Sequence, residues 1–136
     1  MRWTSAANGG FTSAAKAWLV VNPNFTEINA AKSVTNPQSV YHYFRKLLAL
    51  RKQNLAWIYG DYYDLDQQHP SLFCYSRTLG DERFLMVLNF SKQKVDYELS
   101  ENLRAAKLVT SNYDGNREDD TAVLNLKCWE ARVYKL

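Results

Sequence analysis

Residues 1–29 carry no helical or strand spacing of their apolar residues, and this stretch constrains the chain more than any other. Trp3, Phe11, Trp18 and Phe25 are scattered along it, and Asn8-Gly9-Gly10 and Asn22-Pro23-Asn24 punctuate it. An irregular run of this length inside a compact domain is uncommon, and is usually functional or disordered. Disordered segments are poor in aromatic residues, so disorder fits badly. Four large rings on an irregular segment need a surface to pack against. The rest of this chain is small for that task, so the segment points to something larger.

The next stretch, residues 30–56, holds one long amphipathic helix. Asn36 suits an N-cap and Pro37 the first helical position, which sets the helix at about 37–54. Val40, Tyr43, Phe44, Leu47, Leu48, Leu50 and Leu55 recur mostly at three- and four-residue steps. The Arg45-Lys46 and Arg51-Lys52 pairs fall largely elsewhere, toward the C-terminal half, where the helix dipole favours cations. The apolar stripe is wide, so the helix packs against a substantial surface.

Beyond Trp57 the pattern changes to short strands and turns. Leu72–Arg77, the nearly continuous apolar run Phe84–Phe90, the alternating Val95, Tyr97, Leu99, then Lys107–Thr110, Thr121–Leu126 and Ala131–Leu136 all read as strands. Leu79-Gly80-Asp81-Glu82 and Asp114-Gly115 are turn signals, and the polar run to Asp120 is a solvated loop. Short strands at this density predict an antiparallel β-sandwich of Greek-key type. The expected organisation is therefore 1–56 as one part and 57–136 as a β domain.

Composition excludes several classes. The 17 Lys and Arg against 14 Asp and Glu leave a net charge of +3, too weak and dispersed for nucleic acid or an anionic membrane. No run approaches the ~18 apolar residues of a membrane span, and Met1-Arg2-Trp3-Thr4 opens no signal peptide. Cys74 and Cys128 lie in apolar, strand-like surroundings and read as buried free thiols of a reducing, cytoplasmic compartment. Asn24-Phe25-Thr26 and Asn89-Phe90-Ser91 match the glycosylation sequon. The second ends an apolar strand and is read as a chance match.

Catalytic signatures are thin. His42 and His69, the two histidines, lie far apart, and no cysteine pair or carboxylate cluster has metal-ligand spacing. No cofactor motif, nucleophile elbow or phosphate-binding glycine loop occurs. Asp61, Asp64, Asp66, Asp81, Glu82, Glu118, Asp119 and Asp120 all fall in turns or polar loops, where Asp serves turn chemistry, and they form no evident acid pair. Aromatic surface remains. Trp57, Tyr59, Tyr62, Tyr63 and Tyr75 suit either sugar stacking or plain packing, with packing favoured. Of these, Trp57, Tyr59, Tyr62 and Tyr63 are the sugar-stacking candidates.

The run Trp18-Leu19-Val20-Val21-Asn22-Pro23-Asn24-Phe25-Thr26-Glu27-Ile28-Asn29, preceded by Met1-Arg2-Trp3-Thr4 and Asn8-Gly9-Gly10-Phe11-Thr12, resembles the C-terminal part of α-glucosidases. These are the oligo-1,6-glucosidase, dextran glucosidase and trehalose-6-phosphate hydrolase group of the α-amylase superfamily, glycoside hydrolase family thirteen. Tyr43-Phe44-Arg45-Lys46-Leu47-Leu48-Ala49-Leu50-Arg51-Lys52 and Tyr59-Gly60-Asp61-Tyr62 also resemble this group. The resemblance covers the whole chain and is strongest over the first 62 residues.

The resemblance implies a (β/α)₈ barrel followed by an antiparallel β domain. Residues 1–29 would be the loop after the last barrel strand, 37–54 the last barrel helix, and 57–136 the β domain. Such barrels carry their active sites at the C-terminal face, which would put Met1, Arg2 and Trp3 near the substrate rim. The family's Asp nucleophile, Glu acid/base and second Asp come from strand ends upstream, so the chain alone is expected to be inactive. Its partners would be the missing barrel and, for the parent enzyme, an α-glucoside oligosaccharide. An exposed helix stripe could also drive homodimerisation. Arg2 replaces the usual Gln of the family and Thr4 the usual Asp, which leaves the parent's preferred α-glucoside open.

Overall fold

The computed structural model describes residues 2–99, 106–113 and 123–136. Met1, the predicted Asp114-Gly115 turn, the polar run through Glu118, Asp119 and Asp120, and the start of the 121–126 strand lie outside the described residues. The chain divides into two units, Met1–Leu50 and Arg51–Leu136.

In the first unit the aromatic stretch is irregular but built. It contains two 3-10 turns, Ala7–Gly10 and Pro23–Thr26. Asn8 and Gly9 take positive φ of 55° and 63°, the left-handed region that Gly and Asn tolerate best. This reversal lets Trp3 N and Thr4 N both donate to the Gly9 carbonyl, at 2.9 and 3.2 Å. Asn29 caps the first α-helix, α1 (Ala30–Thr35): its side chain accepts from Lys32 N at 3.0 Å and donates to Phe25 O at 2.8 Å. The carbonyls of Arg2 and Trp3 accept from Ala30 N and Ala31 N, so the start of the chain closes the orphan donors of this helix.

Residues 30–56 hold a helix close to the expected 37–54 and a further, unexpected one before it. Helix α1 ends at Thr35 and α2 spans Val40–Gln53, starting three residues later than the Asn36-Pro37 signal predicts. The Asn36 side chain turns back on Gln38 N at 3.0 Å, which spends it on a local turn. Ser39 takes over at the helix start: Tyr43 N donates to its carbonyl and His42 N to its hydroxyl, while that hydroxyl donates to Ser33 O at 2.6 Å.

The second unit carries a short helix, α3 (Ala56–Tyr59), before its sheet. Among the described residues seven strands follow: β1 (Asp61–Asp64), β2 (Leu72–Leu79), β3 (Glu82–Asn89), β4 (Val95–Glu98), β5 (Lys107–Ser111), β6 (Val123–Leu126) and β7 (Ala131–Lys135). Five pair antiparallel in the order β1-β2-β3-β7-β5, and β4 pairs with β6. The β2–β3 hairpin turns through two residues, with Gly80 at φ 58°.

The two sheets bury Leu72, Cys74, Leu85, Val87, Leu99, Leu124, Leu126 and Tyr134 between them. The opposite face of the large sheet holds Phe84 and Met86, closed by Ala56 and Trp57 of α3. Continuous apolar residues in β3 follow from this, since that strand is covered on both faces. The architecture is the expected mainly antiparallel β-sandwich with one main helix.

Candidate functional site

Two regions carry candidate residues, one in each unit. In the first, Arg2, Phe11, Trp18, Leu19 and Val21 line a concavity of about 650 Å³. Its walls are poorly covered: Trp18 is 94% and Val20 97% exposed, and Trp3 and Phe11 are more than half exposed. Arg2 passes its side-chain stem under Gly9, where a Cβ would meet it at 3.1 Å. Among the described residues up to Leu50, only Gly9 and Asn29 are buried, and α2 buries none of its side chains. A unit with seven Trp, Tyr and Phe rings, two helices and no buried large apolar side chain among its described residues lacks a core of its own.

In the second unit, the strand period of two sorts the aromatic candidates. Tyr62 lies across β1–β2 from Arg77, and its ring packs on Tyr75 at 5.3 Å. Phe73 joins Tyr75 at 4.9 Å. With Arg51, Trp57 and Arg77 these rings line a second concavity of about 320 Å³. Tyr59 and Tyr63, also expected to stack sugar, are exposed and do not line it. Sequence reasoning missed Phe73, Arg51 and Arg77, although Phe73, Tyr75 and Arg77 stand at the i, i+2, i+4 spacing that puts them on one face.

The arginines hold the chain reversal into the sheet. Arg51 donates to Trp57 O at 2.5 Å, and Arg77 to Trp57 O and Ile58 O at 3.4 and 3.2 Å. The Trp57 ring meets Phe84 edge-on at 5.6 Å. Its Nε1 is shut off from solvent without a hydrogen-bond partner. Burial and then the Asp64 carboxylate push the Tyr62 hydroxyl up, so it stays protonated and donates to Asp64 at 3.1 Å.

Nothing here assembles an acid pair or a metal centre. No group of three or more His, Cys, Asp or Glu stands together among the described residues. His69 accepts Ser71 N and Leu72 N on Nδ1, at 3.2 and 2.9 Å, and so organises the loop before β2. His42 Nε2 meets the Val34 carbonyl at 2.8 Å. Both cysteines are free. Cys74 is buried as expected, its thiol pushed up to about 11 by burial, while Cys128 is only half-buried. Asn89 of the second sequon is 2% exposed, with its amide tied to Gln93 O and Lys127 O. It serves the fold. No helix among the described residues is long and apolar enough to cross a membrane.

An antiparallel β-sandwich preceded in the chain by short helices, one main helix and an irregular aromatic stretch defines a mainly β protein. Comparison with known proteins agrees. The α-amylase catalytic domain matches residues 1–60, and the maltogenic amylase C-terminal domain matches residues 64–133. The chain belongs to the α-amylase family, glycoside hydrolase family thirteen. It is 38% identical over 138 residues to an oligo-1,6-glucosidase of Parageobacillus thermoglucosidasius, and 37% identical over 141 residues to one of Bacillus cereus. Both alignments cover 100% of this chain and 24% of the relative.

Among solved structures, an isomaltulose synthase of Erwinia rhapontici NX5 bound to its natural substrate sucrose superposes with a TM-score of 0.88 at 38% identity. A trehalulose synthase superposes with a TM-score of 0.91 at 34% identity. They cover 98% and 99% of this chain, and 24% of each neighbour is matched. The chain thus spans about a quarter of the length of the relatives it matches.

Proposed function

We propose that this chain is the C-terminal, non-catalytic portion of a retaining α-glucosidase that hydrolyses terminal α-glucosidic bonds of oligosaccharides. Residues 1–56 belong to the end of the catalytic barrel and 57–136 form the β domain that supports it. The observation that carries this reading is the coreless first unit: Trp18 and Val20 are almost wholly exposed, as expected of a loop whose packing surface lies in another part of a protein. The catalytic Asp, Glu and Asp lie in that other part, where two of them form and resolve a glucosyl-enzyme intermediate. Arg2 and Trp3 stand at the substrate rim, together with Met1, which is outside the described residues. The enzyme works in the cytoplasm and needs no cofactor.

The purified chain is expected to release no nitrophenol from p-nitrophenyl α-D-glucopyranoside. Turnover that stays with the chain through successive purification steps would overturn the reading.

A second reading concerns association. On α2, Val40 is 84% and Phe44 60% exposed, and Tyr41 and Leu48 are exposed beside them. In the separated chain this stripe drives self-association, which light scattering detects as a mass above 15.8 kDa. A strictly monomeric chain at every concentration would contradict it.

A further inference from the structure

Asn8-Gly9 is the one Asn-Gly pair in the chain. Such a pair carries a reaction of its own. The backbone nitrogen of the glycine, whose residue has no Cβ to hinder it, attacks the side-chain amide carbon of the asparagine. A C–N bond forms, the bond to the side-chain nitrogen breaks, and ammonia leaves. Water then opens the cyclic imide at either carbonyl and leaves aspartate or isoaspartate in the chain. Water is the sole co-reactant, and this chemistry makes asparagine a thermolabile residue.

In the first unit both reacting groups are tied up elsewhere. Gly9 N, the attacking atom, donates to Ala6 O at 2.9 Å. The Asn8 side-chain nitrogen, the leaving group, donates to Ala14 O at 2.7 Å and to Thr12 O at 3.4 Å. Gly9 is buried and Asn8 half-buried, and both keep positive φ. Ring closure must break the Gly9–Ala6 hydrogen bond and turn the Asn8 amide away from its two carbonyls. The turn therefore has to open before the reaction starts.

The product does not fit the place it came from. An ionised carboxylate accepts hydrogen bonds and donates none. At position 8 it sets a negative charge against the Ala14 and Thr12 oxygens, which have lost their donor, and isoaspartate also lengthens the backbone by a methylene. We propose that Asn8 is a site of spontaneous deamidation, held off by the closed turn, and that the modified residue keeps the turn open. The turn clamps the start of the chain, because Gly9 O accepts from Trp3 N and Thr4 N. Its opening frees Arg2 and Trp3. What that does to a substrate rim rests on the reading above, while the modification itself does not.

The test uses the purified chain at mildly alkaline pH. Trypsin cuts after Arg2 and Lys16, and the peptide 3–16 holds Asn8 as its sole Asn or Gln. An amide-to-acid mass gain in that peptide therefore reports this site. The free peptide 3–16 in the same buffer gives the unprotected rate, and the chain is expected to react at least roughly tenfold more slowly. Equal rates would overturn the proposal. Asn8→Asp then tests the consequence. Hydrogen exchange at the Trp3 and Thr4 amides speeds up roughly tenfold, while the amides of β2 and β3 exchange as before and show that the β domain is folded. Unchanged exchange at Trp3 and Thr4 would overturn the claim that the modified turn stays open. Neither measurement reads hydrolysis, so the catalytic reading stands or falls separately.

Discussion

Replacing Glu130 tests whether the β domain is locked by a buried ion pair. Glu130 and Arg132 are 1% and 2% exposed. Glu130 accepts from Arg132 Nε at 3.0 Å, Arg132 Nη2 at 3.3 Å, Lys127 N at 2.6 Å and Ser111 Oγ at 3.4 Å. Arg132 also donates to Asn125 O at 2.6 Å and to the Tyr134 hydroxyl at 3.3 Å. Glu130→Ala leaves the guanidinium buried without its counter-charge, a loss of about 3–5 kcal/mol. With a urea slope of about 2 kcal/mol per molar, the midpoint falls by about 2 M.

Urea unfolding, followed at the amide signals of β3 and β7 so that only the β domain is read, measures this. The double variant Glu130→Leu/Arg132→Met removes both charges. It leaves Lys127 N and Asn125 O short of a partner, about 2–6 kcal/mol together. Glu130→Leu and Arg132→Met singly each break the buried pair at about 3–5 kcal/mol, so the double variant is expected to cost less than the two singles summed, with a coupling of about 4 kcal/mol at mid-range. Should the single change cost less than about 1 kcal/mol, or the two changes simply add, the ion-pair account is wrong. Glu130→Gln, which keeps the shape, gives a measurable intermediate if the alanine variant does not fold.

Other predictions follow from the same packing. Burial pushes the Cys74 thiol up to about 11 and the Tyr97 hydroxyl up as well, so the unfolded chain ionises first as pH rises. Stability of the β domain is therefore full below about pH 9 and falls as pH climbs toward about 11; Cys74→Ala flattens that decline in pH-dependent urea titrations. Gly60→Ala puts a Cβ 2.5 Å from Ala56 O and 2.9 Å from Thr78 O, both backbone atoms. It lowers the midpoint by the equivalent of about 1–3 kcal/mol, and an unchanged midpoint would show that the α3–β1 junction is slack. Val40→Gln with Phe44→Gln lowers the scattering mass of the separated chain, and an unchanged mass would place self-association elsewhere.

The sandwich was legible because its strands obey simple rules. Phe84 to Leu88 is apolar throughout and is covered on both faces, and Gly80-Asp81 sits where a two-residue hairpin needs a glycine of positive φ. The helix boundary was not legible. Asn36-Pro37 matches a cap signal, but the Asn36 side chain is spent on Gln38 N, and Ser39, with contacts to a residue six positions back, starts α2. The buried Glu130–Arg132 pair was hidden for a different reason. Charged residues usually face water, and the alternation of β7 that puts Arg132 on the same side as Tyr134, within reach of Glu130 two residues back, does not say that this side is the buried one.

Among the candidate rings, the adjacent Tyr62 and Tyr63 point to opposite faces of β1, so they cannot share one platform. That consequence of the two-residue period was available in the sequence. The convergence of Arg51 and Arg77 on the Trp57 carbonyl was not, because the two arginines are far apart in the chain. The aromatic loop was legible as needing a partner, and the exposure of Trp3, Phe11 and Trp18 gives that need a physical measure.

The central claim is that this stretch is the non-catalytic end of an α-glucosidase. Sequencing the coding DNA upstream of the Met1 codon tests it most directly. The account predicts an open reading frame that continues upstream in register and encodes barrel strands ending in the catalytic Asp, Glu and Asp. A translation start at Met1 with no such frame before it would contradict the account.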